Sequence, residues 1–185
     1  MTHQESGRSG RNLSGEIQEA MESLPADKTG LVLGSGGKTD IWRKRRWWTL
    51  DIDARHLADT IGDARFAPER YSNLDYLVAE GLVIKDWLRW FEIEKMMRSA
   101  IVEAFYPKAK GITAVELAEV AHACLRSGGV FVFIGGEVRG DPSDAAAITG
   151  ELRERGFETE IQYGDWELFE GRGPESRRVR VFAGK

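Results

Sequence analysis

Apolar runs that stop at small or acidic residues set the pattern of the first half of the chain. Leu31-Val32-Leu33 ends in Gly34-Ser35-Gly36-Gly37. Trp47-Trp48-Thr49-Leu50 ends in Asp51-Ile52-Asp53, and the weaker run Ala58-Asp59-Thr60-Ile61 ends in Gly62-Asp63. Leu74–Ala79 makes a fourth run, with Glu80-Gly81 at its end. Short apolar runs bounded by turn residues read as buried strands. In a parallel sheet such stops fall at the carboxyl ends of the strands, where ligands bind.

Helical periodicity takes over between and after these runs. Ser14 is placed to cap a short helix over Gly15–Leu24, with Ile17, Ala20, Met21 and Leu24 on one stripe. Trp87, Trp90, Phe91, Met97, Ile101, Ala104 and Phe105 recur at three- and four-residue spacing and predict a long helix over 84–106. Packing on the sheet is the expectation for that stripe, with a substrate wall, a homodimer face or another protein's docking face as the alternatives. Thr113 and Glu116 have capping-box spacing and predict a helix running to Leu125, closed by Ser127-Gly128-Gly129. Val130–Ile134 is then a strand too apolar for a sheet edge. Asp144–Arg155 reads as a helix closed by Gly156. Phe157–Tyr163 and Arg178–Phe182 read as strands with no convincing crossover helix between them, which predicts an antiparallel pair.

Two connectors are unusually short. Thirteen residues lie between Gly37 and Asp51, and four of them belong to the next strand, so little more than a helical turn fits. Ala54–Ala58 is shorter still, and Arg65–Tyr71, with Pro68, reads as a loop. The first connector carries Trp42-Arg43-Lys44-Arg45-Arg46-Trp47-Trp48. Aromatics among cations suit nucleic acid, with bases stacked on rings and phosphates on charges. They equally suit a solvated basic turn that leads tryptophans into the core. The second is the expectation, because no other basic segment adjoins it.

Composition narrows the class. The 185 residues suit one domain with a tail: 1–12 are polar and expected to be disordered, and 13–185 form the domain. A hydrophobic fraction of 42% predicts a folded core, and a net charge of −4 gives no global drive toward nucleic acid. Cys124 is the only cysteine, so an intrachain disulfide is excluded and a reducing, cytoplasmic setting is expected. No apolar run has the length of a membrane span. No His, Cys or carboxylate cluster has metal-ligand spacing. A P-loop is not expected either, since the Gly-Lys-Ser/Thr ending does not fall at the P-loop distance from Gly34.

The motifs are more specific in their order than singly. Gly34-Ser35-Gly36-Gly37, then Leu50-Asp51-Ile52-Asp53, then Gly62-Asp63-Ala64 are similar to the first three motifs of class I S-adenosylmethionine (SAM)-dependent methyltransferases. Leu74–Glu80 and Leu125–Phe133 follow in the same order, so the resemblance covers residues 28–185. It implies an α/β fold: a three-layer, doubly wound, mostly parallel seven-stranded sheet whose last strand is antiparallel, between the fifth and sixth. It also implies that SAM is the cofactor and S-adenosylhomocysteine the product. The Gly34, Ser35, Gly36 and Gly37 backbone would pass the methionine and ribose portion. Asp51 would accept ribose hydroxyls, with Ile52 beside it. Asp63 would accept the adenine amino group, and Ala64 would lie beside the ring. Glu80 would sit near the methyl-transfer centre, and His56 would reach the pocket rim as a base. For each of these residues a purely structural role, as turn, cap or strand end, is the alternative. His122, within a predicted helix, is expected to be structural.

Two positions depart from the family pattern. Val32 replaces the acidic residue usual two positions before the first glycine, and Lys38 stands where a third alternating glycine is expected. Family members commonly use that carboxylate to position the methionine amino group. The resemblance then implies weaker SAM affinity, or another residue in that role. The acceptor is open: a small molecule or an exposed group of a macromolecule. Ala79-Glu80-Gly81-Leu82 lacks the Asn/Asp-Pro-Pro-aromatic motif of base-amino methylation, and Cys124 has no proline before it as cytosine C5 chemistry needs. A methyltransferase-like binding or assembly protein without catalysis is the main alternative. A nicotinamide-dependent oxidoreductase is the third.

Overall fold

The run Leu31-Val32-Leu33 is fully buried in the core. The structure, a computed structural model, describes residues 4–6, 12–80, 82, 84, 111–138, 144–164 and 176–185. The strands are β1 (Gln4–Ser6), β2 (Gly30–Leu33), β3 (Trp48–Asp51), β4 (Thr60–Ile61), β5 (Leu74–Glu80), β6 (Leu125–Val138), β7 (Glu158–Gly164) and β8 (Ser176–Gly184). Among the described residues they form one eight-stranded sheet, ordered β1-β7-β8-β6-β5-β2-β3-β4. Neighbouring strands from β4 to β6 are parallel, and β8 runs antiparallel between β6 and β7. Counted from Gly30–Leu33, this is the seven-stranded order 3-2-1-4-5-7-6 with the expected antiparallel last strand. The eighth strand is Gln4–Ser6, from the polar stretch 1–12, which pairs antiparallel with β7 at the edge.

Side-chain alternation builds the three layers. Leu31, Leu33, Leu77, Ala79, Phe131 and Phe133 face one side of the sheet, where they pack with α3 (Ala114–Cys124) and α4 (Asp144–Glu154). Val32, Tyr76, Val78, Val130, Val132 and Phe182 face the other, against α1 (Leu13–Glu22). The first crossover is a 3-10 turn, Gly36–Lys38, and a six-residue helix α2 (Thr39–Lys44). Tryptophans fill the space that a longer helix would occupy. Trp42 and Trp47 are buried and meet edge to face at 5.6 Å, and Trp47 lies 6.0 Å from Tyr76. Trp47 Nε1 also donates to the Ala20 carbonyl of α1. Arg43, Lys44 and Arg46 are exposed, and so is Trp48.

Several boundaries differ from the sequence expectation. The α1 cap is Asn12, not Ser14: its side chain accepts from Gly15 N, and Leu13 is buried as the first helical residue. Asn caps as well as Ser, and burying Leu13 draws the start upstream. Helix α3 has the expected capping box but ends at Cys124, with Leu125 already extended. Ser127-Gly128-Gly129 therefore lies within β6 rather than capping the helix. The chain end causes this, since Gly128 N donates to Lys185 O and Lys185 N to Gly129 O. Lys185 Nζ then caps α3 through the carbonyls of His122 and Leu125. Arg65–Tyr71 is mostly a 3-10 helix, Ala64–Glu69. The helix expected over 84–106 lies outside the described residues except for Ile84, which bridges to Ile112. Among the described residues no helix is long and apolar enough to cross a membrane.

Candidate functional site

Parallel strands β2, β3, β4 and β5 end side by side, so Gly34, Asp51, Gly62-Asp63 and Glu80 share one end of the sheet. Gly34 is left-handed (φ +71°), and an added Cβ would lie 2.3 Å from the Glu80 carbonyl oxygen. Only glycine allows β2 to turn this close to β5. Gly34 N donates to Leu50 O at 2.8 Å, which pins the turn to β3 as well. Among the described residues no heavy atom beyond the adjoining ones lies within 4 Å of a Cβ added at Gly36 or Gly37, so the turn presents bare backbone. Ser35 is buried and shares a hydrogen bond with Thr39, whose hydroxyl donates to the His56 carbonyl at 2.7 Å. Thr39 thus ties the glycine turn to the connector after β3, a role with no motif to announce it.

Asp51 is 5% exposed and holds this corner together. Its Oδ2 accepts from Gly36 N at 2.8 Å, and its Oδ1 from Asp53 N at 2.9 Å. His56 Nδ1 lies 3.1 Å from Oδ2, at ion-pairing distance but without the alignment of a hydrogen bond. A carboxylate has about four acceptor positions. Two are filled by backbone and a third faces the imidazole. Ile52 is partly exposed beside it, and Leu57, Ile61 and Phe66 are exposed on the neighbouring segments.

The next two carboxylates use one device twice. Asp53-Ala54-Arg55 and Asp63-Ala64-Arg65 are the same tripeptide. In each, the aspartate caps a 3-10 turn through the arginine N–H and pairs with its guanidinium. The Arg55 side chain and backbone N–H hold the Asp53 carboxyl well below the usual carboxylate range. Asp63 in turn raises Arg65, which reaches on to Glu116 at 3.4 Å and joins the site to α3. The repeat was present in the sequence as a signal for these arginines. Ala64 is buried at the start of its 3-10 turn.

Glu80 ends β5 and pairs with Lys38 of the glycine turn, Nζ to Oε1 2.5 Å. Its other oxygen, Oε2, is buried and has no hydrogen-bond donor among the described residues. The structure therefore brings Gly34 to Gly37, Asp51, Ile52, His56 and Glu80 into one corner, with Asp63 and Ala64 one strand further out. Bare turn backbone, a buried carboxylate at the next strand end and an orphaned Glu80 oxygen fit a nucleoside carrying a cationic tail. Among the described residues no group of three His, Cys, Asp or Glu is placed to hold a metal ion.

No protein-family model matches the sequence, and no curated protein is similar to it. Solved structures are similar in fold. A SAM-dependent methyltransferase from Archaeoglobus fulgidus superposes with a TM-score of 0.55 at 10% identity, over 94% of this chain and 93% of that one. A TehB-like SAM-dependent methyltransferase from Corynebacterium glutamicum gives 0.53 at 16% identity, over 97% and 90%. Spermidine synthase from Thermotoga maritima gives 0.55 at 12% identity, over 87% of this chain and 54% of that one. With the strand order 3-2-1-4-5-7-6, these matches show that the chain has the class I SAM-dependent methyltransferase fold.

Proposed function

We propose that this protein is a SAM-dependent methyltransferase acting on a small molecule or on an exposed group of a macromolecule. The observation that carries the proposal is the joint between the glycine turn and β3: bare backbone at Gly36 and Gly37, fixed by Gly36 N on the Asp51 carboxylate. Bound SAM supplies an already electrophilic methyl group on a sulfonium, so the protein has mainly to bind and align. In this reading the turn backbone approaches the ligand closely, and Asp51 offers its remaining acceptor position to a ribose hydroxyl. Ile52 flanks the nucleoside, while Asp63 and Ala64 border the adenine. Glu80 is neutralised by Lys38, so His56, half-buried at the rim, is assigned the acceptor's proton.

Calorimetry with SAM, S-adenosylhomocysteine and NAD tests the proposal. Binding of the two adenosyl compounds without NAD binding is expected. Binding of NAD alone would overturn the proposal in favour of an oxidoreductase. A second reading, a methyltransferase-like binding or assembly protein, is favoured by Val32 in the acidic position and by the six-residue α2. Transfer of labelled methyl from SAM to fractions of a cell extract separates the two. Binding without transfer to any fraction favours the second reading.

A further inference from the structure

Val32 is fully buried in the apolar layer with Trp47 and Tyr76, so the corner has no anion at that place. The anion stands instead on the neighbouring strand. Glu80 is adjacent to Gly34 through its own backbone, since the Gly34 Cβ position meets Glu80 O. Its carboxylate carries two different oxygens. Oε1 is paired with Lys38 Nζ, while Oε2 is buried with no donor among the described residues. A buried acceptor without a donor is unfavourable, and a charged one more so, unless a ligand supplies the donor. Lys38 is about half exposed on the glycine turn, so its ammonium is free to turn toward a ligand while Glu80 stays fixed.

An anion and a cation held side by side at the end of a nucleoside pocket match an α-amino acid zwitterion. The α-ammonium meets the carboxylate and the α-carboxylate meets the lysine. Each charge of the protein pair keeps an opposite partner in both states, so opening the pair leaves neither charge alone in the site. We propose that the Lys38–Glu80 pair is a clamp for the amino-acid end of the adenosyl ligand, with Glu80 Oε2 accepting from its ammonium and Lys38 Nζ donating to its carboxylate. This rests on the adenosyl-site reading above. It assigns Glu80 a positioning role in ligand binding.

Three ligands separate the zwitterion's two charges: S-adenosylhomocysteine carries both, decarboxylated SAM only the ammonium, beside its sulfonium, and 5′-methylthioadenosine neither. Calorimetry on the full chain is expected to show Glu80→Gln weakening S-adenosylhomocysteine by about tenfold or more, as loss of a charge-assisted contact implies. Its affinity for 5′-methylthioadenosine should stay within about twofold, the discrimination expected when only the charged contact is lost. Lys38→Met should weaken S-adenosylhomocysteine and leave decarboxylated SAM unchanged or tighter. Equal effects of Glu80→Gln on S-adenosylhomocysteine and 5′-methylthioadenosine would overturn the clamp, and so would no effect on either. If Glu80→Gln does not fold, the Lys38→Met comparison decides alone: equal weakening of S-adenosylhomocysteine and decarboxylated SAM overturns the proposal. A wild type that binds none of the three overturns the adenosyl site itself, a result distinct from a clamp failure in a protein that binds 5′-methylthioadenosine.

Discussion

Asp51 carries more of the corner than a residue at a strand mouth usually does. Its two oxygens hold the N–H groups of Gly36 and Asp53, and it is almost entirely buried. Asp51→Ala leaves both donors unpaired, which costs about 1–3 kcal/mol for a buried group. For a chain of this length that corresponds to a fall in Tm of roughly 2–12 °C. If the proposed adenosyl site is right, loss of S-adenosylhomocysteine binding should accompany it, from the proposed ribose contact and from the slackened turn together. Asp53→Ala is the control. Among the described residues the Asp53 side chain bonds to Arg55 alone, and the Asp53 N–H on Asp51 survives the substitution, so melting and affinity should both stay close to wild type. Calorimetry and thermal melting on both variants check this. Equal melting of Asp51→Ala and wild type would deny the carboxylate its structural part. The sequence motif pointed to Asp51 as an acceptor for a ligand. It did not reveal that the chain's own backbone occupies two of the acceptor positions, because those bonds join residues up to fifteen positions apart. The pairing of Lys38 with Glu80, forty-two positions away, was hidden for the same reason.

The shortening of the first crossover helix was legible in the sequence, and what fills the space beside it was not. Thirteen residues between Gly37 and Asp51 leave no room for a full helix, whatever the tertiary structure. Which side chains then cover Val32 and Tyr76 depends on contacts from α1, α2 and β3 together. Trp47 does most of this, and its ring explains a glycine that has an ordinary backbone. A Cβ on Gly30 would lie 2.4 Å from the Trp47 ring. Gly30→Ala therefore overpacks the layer, at a cost of about 1–3 kcal/mol. The clash belongs to the pair, so the same substitution in a Trp47→Leu background should cost clearly less than in wild type. A double-mutant cycle by urea unfolding measures the difference. Additive effects would mean that Gly30 is required for some reason other than the ring. The ends of α3 were misread through a similar cause: the cap is Lys185, at the far end of the chain, rather than the nearby glycines.

At the scale of the whole molecule, the sheet has a proposed ligand end and a fastening end. The order of motifs and the lack of a convincing crossover-helix pattern in the sequence between Tyr163 and Arg178 made the topology legible, because both are local in sequence. The fastening at the amino ends of the strands was not, since it gathers residues from three segments. Asp75, at the start of β5, is 7% exposed. Its Oδ2 accepts from Thr29 N at 2.8 Å, and its Oδ1 lies 2.5 Å from Arg126 Nε and 3.7 Å from Lys28 Nζ. These bonds tie the entries of β2, β5 and β6 to one carboxylate. Burial alone would push the Asp75 carboxyl up. The Thr29 N–H and the Arg126 guanidinium outweigh burial and hold the carboxyl below its ordinary value of 3.8. A carboxyl whose pKa is lowered in the folded state contributes stability that is complete above the unfolded value. That contribution fades as pH falls through the folded value. Asp75→Asn removes the charge-assisted bonds and should cost about 2 kcal/mol at neutral pH, or roughly 4–8 °C in Tm. The gap between wild type and variant should hold down to about pH 4 and close below it, as the wild-type carboxyl takes up its proton. Thermal melting of both proteins from pH 7 down to the lowest pH at which they fold follows the gap directly. A gap that stays constant through the acid range would show that the asparagine costs stability by shape alone. The charge on Asp75 would then have no part in fastening the sheet.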